Sequence, residues 1–138
     1  RWSLTLPIFV EDQREELWRR LDVWQNNQQS KMTKDRYLEM MDQLGQDPIP
    51  EEIPPDYEDF PMIVIDAINA YNAMGDRIYP EIGYIGKDYT NLPHFLKAYN
   101  IEDEEFFLQI LAHLDAAAVE SSQKKLKAEY DKMKRKHG

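Results

Sequence analysis

The stretch that decides the fold is NIEDEEFFLQILAHLDAAA, residues 100–118. Its acidic residues 102–105 would lie in the first turn of a helix, where the unpaired backbone N–H groups favour negative charge. The apolar residues that follow recur at spacings of three and four, which predicts a helix with one buried face. Asn100 is the predicted N-cap. The predicted buried stripe consists of Phe107, Ile110, Leu111, Leu114 and Ala118.

The same apolar line continues towards the C-terminus. Val119, Leu126, Tyr130 and Met133 follow at spacings of seven, four and three, which predicts a helix that reaches about Arg135 and is about 50 Å long at 1.5 Å per residue. Such a helix would outrun a small domain, and we interpret its end as an element that binds a partner or forms an oligomer, with fraying into disorder as the alternative. The predicted partner-binding residues are Leu111, Leu114, Leu126, Tyr130 and Met133.

A glycine-hinged loop, GYIGKDYTNLP at residues 83–93, precedes this helix. Asn91 and Pro93 are good starting residues for a short helix, which is predicted to end at Asn100. Tyr84 and Ile85 lie between the glycines, and we expect them to plug the core. A two-residue strand is the alternative.

The preceding block is predicted to be helical from Met62 to about Tyr79, since this run is too long for an ordinary strand. Before it, residues 47–61 contain five prolines and six carboxylates, which exclude a persistent helix or central strand. We predict a semi-rigid spacer there, with a polyproline ligand for a partner as the alternative.

Two further helices are predicted near the N-terminus. Residues 2–10 suggest a short strand or an extended strap, and a helical pattern then begins at Glu11 and fades in the polar residues 26–30. Thr33 offers an N-cap for a second helix, which Gly45 ends.

These elements together predict an all-α protein: a small helical domain of about five helices, with a proline-rich linker and a long C-terminal helix. The predicted boundaries are an N-terminal helical segment at 1–46, a linker at 47–61, a helical core at 62–120 and a basic helical extension at 121–138. The length of 138 residues suits one such domain.

Charge is unevenly distributed. Residues 1–120 hold 10 basic and 24 acidic side chains, which gives −14, whereas residues 121–138 hold 7 basic and 2 acidic ones, which gives +5. An acidic body disfavours phosphate contacts, so binding of nucleic acid is expected only through the basic end. The alternative is a solvent-exposed helix end that binds no ligand, whose cations interact favourably with the negative end of the helix dipole. The candidate anion-binding residues are Lys124, Lys125, Lys127, Lys132, Lys134, Arg135 and Lys136.

The sequence gives no candidate for catalysis. His94, His113 and His137 are too scattered for a metal site, the chain has no cysteine, and neither a phosphate-binding loop nor a nucleophile elbow occurs. We therefore expect a non-enzymatic protein without a metal or cofactor. The chain has no membrane-spanning run and no signal-peptide pattern, so we expect a cytoplasmic protein, and the absence of an initiating Met suggests a trimmed chain.

One resemblance can be stated from the order of the motifs. Pro54-Pro55 near an acidic stretch, an Ala-containing helix at 66–77, a Gly-rich turn, Tyr99-Asn100-Ile101 and Leu114-Asp115-Ala116 follow one another. This order resembles small phage proteins of the tail assembly chaperone type over residues 45–118, about half of the chain. On that resemblance, Arg77 and Asp115 match recurring polar positions, which we expect to hold the helices together. The residues predicted to be structural are Arg77, Gly83, Tyr84, Ile85, Gly86 and Asp115.

The resemblance implies a function in tail assembly. Proteins of this type bind the long helical tape-measure protein and keep it soluble while the tail tube forms, without a cofactor. The expected partner is thus a tape-measure or other tail protein in the host cytoplasm, with a homo-oligomer as a further expectation. The alternatives are a structural or adaptor component of the virion and a small packaging or regulatory factor that binds nucleic acid through its basic end.

Overall fold

The computed structural model describes residues 7–30 and 32–137. The chain forms two compact units, Arg1–Phe60 (unit 1) and Pro61–Gly138 (unit 2). The described part is mostly helical, as the sequence predicts, but it also contains a small antiparallel sheet, so a purely all-α fold is only roughly right.

Unit 1 begins with helix α1 at Pro7–Ser30, followed by α2 at Lys34–Gln43. The strand or strap predicted at residues 2–10 is wrong for Pro7 to Val10, which are helical, and its earlier residues lie outside the described part. Proline suits the first turn of a helix because it lacks the N–H that would be unpaired there. The helix also continues through the polar residues 26–30, where propensity costs are only tenths of a kcal/mol per residue.

The predicted start of the second helix of unit 1 is confirmed. Thr33 is the N-cap, and its hydroxyl accepts a hydrogen bond from the backbone N–H of Arg36 at 3.2 Å. Gly45 follows the helix in the left-handed conformation, with φ of 67°, which glycine adopts without steric cost.

The proline-rich segment contains two short 3₁₀ turns, Pro50–Glu52 and Tyr57–Asp59. It packs within unit 1: the N–H of Ile49 donates to the Tyr37 hydroxyl at 3.2 Å, and the buried Phe60 ring meets Trp24 edge-on at 6.3 Å between centroids. The residues predicted as a spacer therefore contribute packing to unit 1 as far as Phe60.

Unit 2 consists of α3 at Met62–Ala73, strands β1 at Asp76–Tyr79 and β2 at Gly83–Lys87, α4 at Leu92–Ala98 and α5 at Glu104–His137. The prediction that the first of these helices reaches Tyr79 is wrong, because β1 begins directly after Gly75. The core of unit 2 lies between α3 and α5 and consists of Val64, Ala67, Ile68, Ala70, Met74, Phe107, Ile110, Leu111 and Leu114.

The two strands form an antiparallel hairpin. Tyr79 pairs with Gly83 and Asp76 with Lys87, and the register shifts between Arg77 and Ile78. The strand alternative for Tyr84 and Ile85 is thus the correct one, and both side chains are half-buried rather than plugged into the core.

The caps of the last two helices differ from the prediction in one respect. Asn91 precedes α4, as predicted. Asn100, however, does not cap α5: it follows α4 with a φ of 53°, in the left-handed conformation that asparagine tolerates. Asp103 caps α5 instead, since its carboxylate accepts from the N–H of Phe106 at 3.0 Å.

Candidate functional site

A carboxylate surrounded by tyrosines is the most ordered polar feature of unit 2. Asp115, on α5, accepts hydrogen bonds from the hydroxyls of Tyr84 at 2.5 Å, Tyr89 at 2.9 Å and Tyr71 at 3.4 Å. The backbone N–H of Lys87 donates to the same carboxylate at 3.1 Å. A carboxylate offers about four acceptor positions, so these four donors saturate it. We call these residues the Asp115 cluster.

The cluster joins α3, strand β2 and α5. Tyr71 comes from α3, Tyr84 and Lys87 come from β2, and Tyr89 comes from the segment that leads to α4. The Tyr71 and Tyr84 hydroxyls also lie 3.2 Å apart. Asp115 therefore ties α3 and the hairpin to α5 through side chains that are distant in the sequence.

Close approach of the hairpin to α5 depends on Gly86. Its φ is 126°, a conformation that is essentially restricted to glycine. A Cβ at this position would lie 3.0 Å from Oδ2 of Asp115 and 3.2 Å from Nη2 of Arg77. The missing side chain leaves room for the carboxylate at the backbone of β2.

The electrostatics of the cluster keep the carboxylate ionised and the tyrosines neutral. Burial raises the pKa of Asp115, but the hydrogen bonds from Tyr84, Lys87 N–H, Tyr89 and Tyr71 outweigh burial and hold this pKa below its ordinary value. Burial raises the pKa of Tyr71 to about 12. Burial and the hydrogen bond to Asp115 also raise the pKa of Tyr84 and of Tyr89.

A buried amine lies beside this cluster. The Lys87 side chain is 10% exposed, and its Nζ lies 2.6 Å from Oδ1 of Asp76 and donates to the carbonyl of Met74 at 3.3 Å. The same Nζ lies 4.5 Å from the centre of the Tyr71 ring, which is a cation–π distance. These contacts fasten the open end of the hairpin to the end of α3.

Most of the residues predicted to be structural lie close together in unit 2. Tyr84, Gly86 and Asp115 meet in the cluster, and Nη2 of Arg77 donates to the carbonyl of Ile85 at 3.4 Å. Gly83 lies elsewhere on the hairpin, against the end of α5: a Cβ there would lie 2.7 Å from Cδ1 of Leu126.

The predicted partner-binding residues separate into two groups. Leu111 and Leu114 are buried in the core of unit 2, at 0% and 1% exposure, so the prediction that they form part of an exposed binding surface is wrong. The sequence could not separate them from the others because one apolar line runs through the whole helix. Leu126 is half-buried, whereas Tyr130 and Met133 are exposed.

The end of α5 from Lys127 to His137 is exposed at every residue, and we call it the arm. At 1.5 Å per residue it is about 16 Å long. The candidate anion-binding residues all lie exposed on the arm or just before it, and Lys124 pairs with Glu120 at 3.1 Å.

Some residues of the cluster were not singled out from the sequence. Tyr71, Lys87 and Tyr89 are not among the residues that the sequence predicts to be structural. The available signal was chemical: a tyrosine on a buried face needs a hydrogen-bond partner for its hydroxyl. The acceptor, Asp115, lies 44 residues from Tyr71, and no local pattern connects them.

Unit 1 contains a cavity of about 340 Å³ between α1 and the proline-rich segment. Its charged lining is internally compensated, because Arg19 bonds Glu16 at 3.0 Å and Lys34 lies 3.4 Å from Asp59. The lining singles out no ligand class.

Acid should weaken unit 2 through Asp115. Because the pKa of this carboxyl is depressed on folding, the cluster stabilises the fold above the unfolded pKa of about 3.9, and this contribution is lost as pH falls through the lower folded pKa. We expect the difference in unfolding free energy between the native chain and Asp115→Asn to shrink from pH 7 to pH 3. Urea titrations at a series of pH values measure it, and a difference independent of pH would contradict the assignment.

Neither a metal-binding group nor a membrane-spanning helix is found in the described residues. Within residues 7–30 and 32–137, no group of three or more His, Asp or Glu side chains is arranged to hold a metal ion. In the same ranges, no helix combines the length and the apolar character required to cross a membrane.

Comparison with known proteins supplies no relative. No family model, no curated protein and no solved structure matches this chain.

Proposed function

We propose that this chain is a non-enzymatic assembly protein of the phage tail assembly chaperone type, which binds a helical, tape-measure-type partner during tail formation. The observation that carries the proposal is the arm: a helix end that is exposed on all sides and bears apolar residues at helical spacing. The tail context is supported by the resemblance of residues 45–118 alone.

The arm has the form of a helix-binding element. Leu126, Tyr130 and Met133 follow at spacings of four and three, so their side chains lie along one line of the helix. Tyr130 is 66% and Met133 60% exposed, although large apolar side chains gain free energy by burial. Such a line is the pattern by which one amphipathic helix packs on another.

The Asp115 cluster favours a non-catalytic role. Its carboxylate is occupied by four donors and has a lowered pKa, so it is a poor general base. Its tyrosines have raised pKa values, so they are poor nucleophiles. We assign the cluster to holding α5 in place, which fixes the direction in which the arm leaves unit 2.

A second candidate is a nucleic-acid-binding factor, favoured by the cations on the arm and just before it. Phosphate binding explains the lysines but gives no role to the exposed Tyr130 and Met133. A virion adaptor is distinguished from a chaperone by mass spectrometry of mature particles, in which the chaperone is absent.

Substitutions on the arm test the proposed function. We expect the full chain to capture a tail protein from infected cells. Tyr130→Ser combined with Met133→Ser should weaken this binding about 30- to 700-fold, because each anchor contributes about 1–2 kcal/mol. The matched control is Ala128→Ser, on the opposite face of the arm. Capture that yields no tail protein, or that is unchanged in the double variant, would contradict the proposal.

A further inference from the structure

The hairpin turn lies against α5 at the place where the arm begins. Nε2 of Gln123 donates to the carbonyl of Ile82 at 3.3 Å, and the N–H of Tyr84 donates to the hydroxyl of Ser122 at 3.4 Å. Between these two bonds, Gly83 lies against the side chain of Leu126. The turn is thus held beside Leu126, which directly precedes the arm and is the first residue of the apolar line.

The turn itself exposes large apolar side chains. Ile82 is 54% and Tyr79 51% exposed, and the N–H of Ile82 donates to the carbonyl of Tyr79 at 3.2 Å to close the turn. Ile82 immediately precedes Gly83, and Gly83 lies against Leu126, so exposed apolar residues occur on the turn close to the place where the arm begins. We call Tyr79, Ile82, Leu126, Tyr130 and Met133 the docking surface.

Charges on the arm indicate the chemistry of the occupant. At 100° per residue, Lys127 and Lys134 flank the apolar line on one side, and Lys125, Lys132 and Lys136 flank it on the other. Glu129 and Asp131 are the acidic exceptions among these flanking positions. Both flanks are therefore mainly basic, whereas residues 1–120 carry a charge of −14.

The flanking lysines distinguish among helical occupants. A second copy of the arm would place basic flanks against basic flanks, which is unfavourable. A helix with carboxylates on both sides of its apolar face would pair with both rows of lysines while its apolar residues cover Tyr130 and Met133. Electrostatic complementarity of this kind sets specificity and association rate.

We propose that the docking surface binds an amphipathic helix of another protein whose flanks are acidic, and that the hairpin turn forms one end of the site. This inference rests on the proposed function, because it names the chemistry of the helical partner and adds Ile82 and Tyr79 to the arm.

Two synthetic peptides of about 20 residues test the proposal, a length at which a helix can form. Both carry Leu at heptad positions a and d and Ala elsewhere, but one carries Glu and the other Lys at positions e and g. With the full chain at low salt, calorimetry should show at least about 10-fold tighter binding of the Glu peptide, and this preference should shrink at high salt.

Variants of the full chain locate the site. Ile82→Ser and Tyr130→Ser should each weaken binding of the Glu peptide by about 5- to 10-fold or more, whereas Ala128→Ser should leave it unchanged. Circular dichroism shows whether each variant keeps its helix content. A folded Ile82→Ser variant with full affinity would overturn the part assigned to the hairpin turn.

The other outcomes are also decisive. Equal affinity for the two peptides overturns the acidic partner. Competition by a duplex DNA oligonucleotide at matched salt assigns the arm to nucleic acid, and a dimer that the double variant Tyr130→Ser with Met133→Ser abolishes assigns it to a second copy. If the chain captures a tail protein but does not prefer the Glu peptide, the proposed function stands and this inference is wrong. If the chain prefers the Glu peptide but captures no tail protein, the inference about the acidic helix stands and the assignment to tail assembly is wrong.

Discussion

Replacing Asp115 with alanine is expected to lower the free energy of unfolding of unit 2 by about 3 kcal/mol. The change removes the acceptor of three tyrosine hydroxyls and of the Lys87 N–H, and only one of the Tyr71 and Tyr84 hydroxyls can donate to the other instead. Each donor that stays buried and unpaired costs about 1–3 kcal/mol, while water reaches the more open ones. The loss should appear as earlier denaturation in urea, followed by far-ultraviolet circular dichroism.

Tryptophan fluorescence provides a second, separate probe of unfolding. Trp18 and Trp24 lie in α1, so their fluorescence follows unit 1. Hydrogen exchange in peptides from residues 62–126 gives the complementary reading. The matched control is Glu120→Ala on the same helix, whose exposed pair with Lys124 should contribute less than about 0.5 kcal/mol. An Asp115→Ala protein as stable as this control would contradict the anchoring role.

Replacing Gly86 with alanine should produce a loss of similar size, about 3 kcal/mol. A conformation restricted to glycine costs about 1–3 kcal/mol for another residue, and the new Cβ would in addition lie 3.0 Å from the Asp115 carboxylate. Thermal unfolding followed by circular dichroism measures the effect.

A glycine in the same unit provides the control. Gly75 has no atom within 4 Å of its Cβ position, so Gly75→Ala should change the stability by less than about 1 kcal/mol. If the two alanine variants unfold at the same temperature, the close approach at Gly86 does not contribute to the packing of the hairpin on α5.

The helices of this chain were largely predictable because their signals are local. Thr33 caps α2 through a contact three residues away, and the apolar spacing after residue 104 matches the stripe that α5 buries. The capping error at Asn100 is also local, since Asn100 and Asp103 are both good caps and the choice depends on how α4 ends.

The hairpin and the cluster were harder to predict because they depend on distant residues. Asp76 to Tyr79 have a spacing that extends the apolar pattern of α3, and every residue of β1 is exposed, so no alternation marks it as a strand. Tyr84 and Asp115 were each expected to be structural, but their direct bond follows from the fold and not from any spacing in the sequence.

The continuity of α5 has a consequence for how tightly a partner can bind. A separate peptide with the sequence of the arm would be too short to remain helical in water, because helix nucleation is costly. Here the packed part of α5 supplies the nucleus, so the arm adds turns to an existing helix. A partner therefore meets backbone that is already ordered, and the entropy lost on binding falls mainly on side chains such as Tyr130, Met133 and the lysines around them.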